Sequence, residues 1–226
     1  MKCGQKLKLI CCGVFARMAY KAAAESDNLV DIELMPMSLH IEPKVLNKNL
    51  QAAIDRAARY DYDKIILGYG LCGNSVVGLR SKIPLIIPRI HDCCAMFMGS
   101  KERFLQVFGH RPSTMWRSSG YMERCPDNSC VNYKLESAVY IEMEGLEYND
   151  TRERFTKQIT KDGYKVEVVA GDFGWFERLV NGPWDDAEFL ELLPENEIEP
   201  IYDMQEVFRM KEEEKVERYY NEDKSG

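Results

Sequence analysis

The chain reads as an α/β protein with a mainly parallel sheet and flanking helices, arranged as two Rossmann-like lobes. Three observations predict this. Short apolar runs end in glycine- or proline-marked turns, segments of helical composition or spacing separate them, and the alternation weakens after Arg111 before it resumes. With 226 residues, 45% of them hydrophobic, the chain can fill one large α/β domain or two small lobes.

Lys6 to Cys12 forms an apolar run stopped by Gly13, and FARMAYKAAAES after it has helix-forming composition. DIELMPM alternates as a strand. His40 falls in the next turn, and PKVLNKNLQAAIDRAARY opens on Pro43 and spaces Val45, Leu46, Leu50, Ala53 and Ile54 as a helix does. Lys64 to Leu67 reads as a buried strand, followed by a loop with Gly68, Gly70 and Gly73 and a short helix over SVVGLRS. A fourth strand ends at Pro88, a loop covers Arg89 to Cys94, and GSKERFLQVFG continues as a helix that Ser100 caps.

From Arg111 to Tyr133 the pattern gives only a strand at Thr114 to Arg117 and a polar loop, which we read as a hinge region. ESAVYIEM and YKVEVVAGD then read as strands around the helix DTRERFTKQITKD, and DFGWFERLV as a further helix. The expected organisation is an N-terminal lobe over 1–112, a smaller C-terminal α/β lobe over 113–203, and a charged helical tail over 204–226.

A formal charge of -7, with no basic run interleaved with aromatics, speaks against a nucleic-acid partner. The apolar run LICCGVF is too short for a signal segment and is followed closely by Arg17 and Lys21, and no stretch approaches a membrane span. A cytoplasmic location without a membrane partner is the expectation. In that reducing setting the eight cysteines read first as thiols or ligands.

All strands of a parallel sheet point their C-terminal ends to one rim, where loops converge on ligands. Cys11 and Cys12 end the first strand, His40 follows the second, Cys72 the third, and His91, Asp92 and Cys93 the fourth. Thiolates with imidazole suit zinc or iron, so Cys72, His91, Cys93, His40 and one of Cys11 or Cys12 are candidate metal ligands. The two adjacent cysteines point to opposite faces of a strand, so at most one faces such a site. Cys3 and Cys94 read as small buried hydrophobes, and His110 has no evident partner.

Tyr121 and Glu123 lie in a loop that can fold over the rim. With Asp92 they are the candidate proton donor and carboxylates. Cys125 and Cys130 in CPDNSC fit a second metal, a small disulfide or inert thiols. In GYGLCGN, Gly70, Gly73 and Asn74 resemble a cofactor-binding loop whose backbone N–H groups meet an anion ahead of a helix, although it lacks the Walker lysine and the GxGxxG spacing.

The segments LHIEPKVL, GYGLCGNSVVGL, PRIHDCCAMFMGSKERF and VVAGDFGWFERLVNGPWDDAEFLELLP together resemble family 1638 of the domains of unknown function, over nearly the whole chain up to about Asp203. The resemblance implies that His40, Cys72, His91, Asp92 and Cys93 stand at the family's motif positions. RPSTMWRSSGYME departs from the family's usual PGTYY-x-x-PGW-x-E segment, with Tyr121 in place of tryptophan. Members are often encoded near corrinoid-dependent methyltransferase systems in anaerobes. This implies a role in one-carbon or corrinoid metabolism, with a corrinoid as a cofactor and a corrinoid-system protein as a partner.

The leading expectation is a protein that binds a metal ion or metal cofactor, whether as an enzyme acting on a small molecule or as an accessory factor. One alternative is racemase-like thiol catalysis without metal, with Cys72 or Cys93 activated by His91. Another is a non-enzymatic partner-binding protein with Trp116, Trp175 and Trp184 at its contact surface, although Trp175 and Trp184 read better as core.

Overall fold

The computed structural model describes residues 4–90, 93–109, 114–124, 137–194 and 196–198. Strand β1 (Lys6–Cys12) leads through a 3-10 turn (Gly13–Phe15) into helix α1 (Ala16–Glu25). Strand β2 (Leu29–Met35), a 3-10 segment (Met37–Ile41) and helix α2 (Pro43–Ala57) follow, with Pro43 at the start of α2, where a missing N–H costs nothing. Next come β3 (Lys64–Gly68), β4 (Leu85–Pro88), α3 (Cys93–Met98) and α4 (Lys101–Phe108). The Ser100 hydroxyl accepts the Arg103 N–H at 3.1 Å, as the sequence leads one to expect of its cap.

The remainder consists of β5 (Thr114–Ser118), α5 (Ser119–Arg124), β6 (Ser137–Glu142), α6 (Thr151–Lys161), β7 (Val166–Ala170), α7 (Gly174–Asn181) and β8 (Phe189–Leu192). Two sheets result, ordered β2-β1-β3-β4-β8 and β5-β6-β7. The first is parallel except for β8, which pairs antiparallel with β4, and the second is parallel throughout. The protein is thus a mixed α/β fold with mainly parallel sheets and flanking helices.

Strands β3 and β4 are almost wholly buried. Helices cover both faces of this sheet, which is why these strands read as unbroken apolar runs. The chain runs from β1 out to β2 and back across to β3, an order in which crossovers of the usual right hand put α1 and α2 on opposite faces. Helix α7 packs against α1, α3 and β3.

The segment assigned by sequence to a second lobe over 113–203 therefore divides. Strands β5 to β7 with α5 and α6 build the smaller sheet, whereas α7 and β8 complete the first. Helix α5 replaces part of the polar loop expected after β5, and α3 begins inside the loop expected through Cys94. Residues 72–78 form a turn where a short helix over SVVGLRS is expected. Cys72, Gly73 and Asn74 have φ of 43°, 68° and 64°, a left-handed run that no right-handed helix can include. The expected tail over 204–226 lies outside the described residues.

The two sheets meet at the C-terminal ends of their strands. Helix α5, after β5, packs on the turn after β1 so closely that a Cβ on Gly120 would run into the Val14 carbonyl. After β7, the Asp172 N–H donates to the Phe97 carbonyl at the end of α3 at 2.8 Å. The Phe97 ring lies tilted at 4.8 Å from Phe15 and at 5.9 Å from Trp116, which joins the sheets through one aromatic seam.

Candidate functional site

The chain leaves β1 and β3 toward different neighbours, and beyond the C-terminal ends of such a strand pair lies the usual place for a ligand in such a sheet. Cys11 pairs in register with Gly68, and a Cβ on Gly68 would stand 2.5 Å from the Cys11 Cβ. Glycine is what allows the thiol-bearing strand to seat there. Cys11 is fully buried, and burial, then the neighbouring Cys12, pushes its thiol pKa up.

Cys12 is also buried and raised, chiefly by burial. The Val14 and Gly13 backbone N–H groups, the Tyr69 hydroxyl and the positive charge of Arg124 oppose that shift. Between Cys11 and Cys12, it is Cys12 that Tyr69 and, from α5, Arg124 reach.

Tyr69 directly follows β3 and is 3% exposed. Its hydroxyl oxygen is buried with no well-formed hydrogen bond among the described residues. Burial first, and then Cys12, Cys11, Cys72 and Cys93, hold its ionisation far above the ordinary tyrosine range. One phenol thus lies within electrostatic reach of four thiols from three stretches of chain.

Cys72 and Cys93 are half-buried. The Leu71 N–H donates to the Ile90 carbonyl at 3.1 Å and ties the Cys72 loop to the segment entering α3. Cys72 holds a left-handed backbone that a side chain of its type seldom adopts, and such strain gathers at functional sites.

His40 is exposed near the end of the 3-10 segment, its Nδ1 2.5 Å from the Met37 carbonyl. His91 and Asp92 lie outside the described residues, as do Cys3, His110, Cys125 and Cys130. Gly70 is buried, Gly73 and Asn74 are exposed, and a Cβ on Gly73 would come to 3.0 Å from Pro43 Cγ. Without a helix after this loop, the expected anion cradle loses the N-terminus that was to face the ligand.

Glu123 pairs with Arg17 of α1, its two oxygens accepting from Nε at 2.9 Å and Nη2 at 3.3 Å, and Arg17 lies 4.6 Å over the Tyr148 ring. It is therefore a tie between the sheets, where the sequence suggests a free carboxylate. Tyr121 is buried, with Trp116 5.8 Å from its ring edge-on and the Arg117 guanidinium 4.2 Å over it. Trp175 is fully buried, whereas Trp184, which donates to the Leu179 carbonyl at 2.9 Å, and Trp116 are partly buried and pack against the core.

Sequence reasoning missed Tyr69 and Arg124. A ring between two glycines, just past an apolar strand, was the available signal for Tyr69. Arg124 gives none, because only the docking of α5 brings it to Cys12.

Among the described residues, no three His, Cys, Asp or Glu side chains gather closely enough to hold a metal ion. No helix among them is long and apolar enough to cross a membrane. No curated protein and no solved structure matches the chain. The family described as "Protein of unknown function (DUF1638)" matches residues 34–180, from the end of β2 through most of α7 and including Cys72 and Cys93, and the chain belongs to this family.

Proposed function

We propose that the protein binds a metal ion, zinc or iron, or a metal-containing cofactor at the rim of the first sheet. Cys72, Cys93 and Cys12 act as thiolate donors, with His91, two residues before Cys93 in sequence, as the imidazole. The observation that carries this reading is the buried Tyr69 hydroxyl amid thiols, which makes no well-formed hydrogen bond among the described residues: a buried polar atom left so is costly unless a ligand or water meets it.

The donor set fits. Soft thiolates suit zinc and iron, and a bound cation offsets the burial that keeps Cys12 protonated, releasing its proton. The described thiols do not close a three-ligand group alone, so the reading depends on His91. A reducing cytoplasm, in which such thiols persist, belongs to the same proposal, as does the family's link to corrinoid systems, which makes cobalt in a corrinoid one candidate cofactor.

Elemental analysis and absorption spectra of anaerobically purified protein test it. Near-stoichiometric zinc, iron or cobalt, lost in Cys72→Ser and Cys93→Ser while the fold is retained, is expected. Metal-free wild-type protein whose stability ignores added zinc and ferrous iron would sink it. Metal-free turnover abolished by alkylation of one cysteine would favour thiol catalysis instead.

A further inference from the structure

From the geometry we infer a second binding element: Arg117, at the end of β5, binds the carboxylate or phosphate of an anionic small molecule. This inference does not rest on the metal proposal. Arg117 is 8% exposed, the one charged side chain that is buried among the described residues. Among the described residues its guanidinium makes one hydrogen bond, from Nη1 to the Trp116 carbonyl at 2.8 Å, and its Nε is buried without a partner. The Tyr121 ring, 4.2 Å below, fixes the plane but neutralises nothing.

A buried guanidinium ordinarily has a carboxylate beside it, because leaving its charge uncompensated is costly. Among the described residues Arg117 has no ion-pair partner, and three carboxylates from the segments around the second sheet are engaged elsewhere. Glu123 is bound to Arg17, Glu142 to Arg152, and Glu147 accepts from the Tyr140 hydroxyl and the Met143 N–H at 2.7 Å each.

The surroundings add positive charge. Arg124 ends α5 beside Cys12, and Arg154 donates to the Met122 carbonyl of the same helix at 3.0 Å, its own acidic contact being a loose 3.9 Å to Asp150. A chain of net charge -7 thus concentrates cations around one short helix at the junction of its sheets. Such a field draws in an anion, and a planar guanidinium with free donors pairs with two oxygens of a carboxylate or phosphate.

The test uses the full chain titrated with inorganic phosphate and, separately, with succinate, at ionic strength held constant with sodium chloride. Thermal midpoint and Trp116 emission are the readouts. At least one of the two anions is expected to raise the midpoint saturably and change the emission, and the anion that does so identifies the oxyanion class. R117K, which keeps the charge but loses the fork, is expected to weaken the response by about tenfold. R117M is expected to lose the response and, without anion, to be at least as stable as wild type, because an unpaired buried charge has been removed. An R117M or R117K response equal to wild type, or a wild-type response no greater than that to chloride, overturns the inference. So does an R117M protein that unfolds without anion, since its charge would then be serving the fold.

Discussion

In each sheet the central strand delivers a buried tyrosine, Tyr140 within β6 and Tyr69 just past β3, and the two hydroxyls meet opposite environments. Tyr140 donates to Glu147 at 2.7 Å and lies 2.9 Å from the Thr151 hydroxyl, which in turn contacts Ser119. Tyr69 has thiols around it and no well-formed hydrogen bond among the described residues. Tyr140 thus closes a polar network within the second sheet, whereas Tyr69 leaves one open at the rim where ligands bind in such folds. A buried donor without a well-formed hydrogen bond marks a candidate site, at Tyr69 as at Arg117.

Four experiments break or sharpen that contrast. Phe97→Ala removes the ring that joins Phe15 to Trp116 across the two sheets and should cost about 3–5 kcal/mol in chemical denaturation. An unchanged midpoint would mean that the sheets do not stabilise each other through this seam.

Tyr140→Phe strips a donor from Glu147 and should cost about 1–3 kcal/mol. It should also change the pH dependence. Burial first, with Glu147 adding to it and Thr151 opposing, raises the folded tyrosine above its ordinary value. Below pH of about 10 both states hold the proton and the contribution is intact. Above it the unfolded chain releases the proton while the folded chain keeps it, so stability falls by at most about 1.4 kcal/mol per pH unit toward the raised value. The Phe variant should show a shallower alkaline limb.

Glu123→Gln breaks a part-exposed ion pair and should cost about 0.5–1 kcal/mol, less in high salt. A larger loss, insensitive to salt, would mean that the pair is shielded more than its exposure implies. Tyr69→Phe should have the smallest effect on stability, within about 0.5 kcal/mol of wild type or slightly stabilising, since no regular hydrogen bond is lost. Its effect should appear in metal retention. A destabilisation matching Tyr140→Phe would show that the Tyr69 hydroxyl is already satisfied.

Much of the architecture was legible because local patterns and tertiary demands agree. LKLICC and KIILG are apolar enough to be central strands, Pro43 and Ser100 mark helix starts, and Cys94, read as a small hydrophobe, is buried in α3. Other elements depend on partners far along the chain. FLEL becomes β8 because it covers the edge of β4, about a hundred residues earlier, and SGYMER becomes helical where it docks on the Gly13–Phe15 turn. SVVGLRS misled because its composition permits a helix while the left-handed run from Cys72 to Asn74 prevents one from starting.

At the candidate site the division is similar. Apolar runs and turn residues alone already assign Cys11, Cys12 and Cys72 to strand ends or the loops beyond them, because strand periodicity and glycine turns are local properties of the chain. The structure alone settles that Cys11 is sealed against Gly68 while Cys12 meets Tyr69 and Arg124, and that Glu123 is held by Arg17. Those outcomes turn on which face each crossover covers and on where the second sheet docks, and burial and charge pairing are set by that long-range packing.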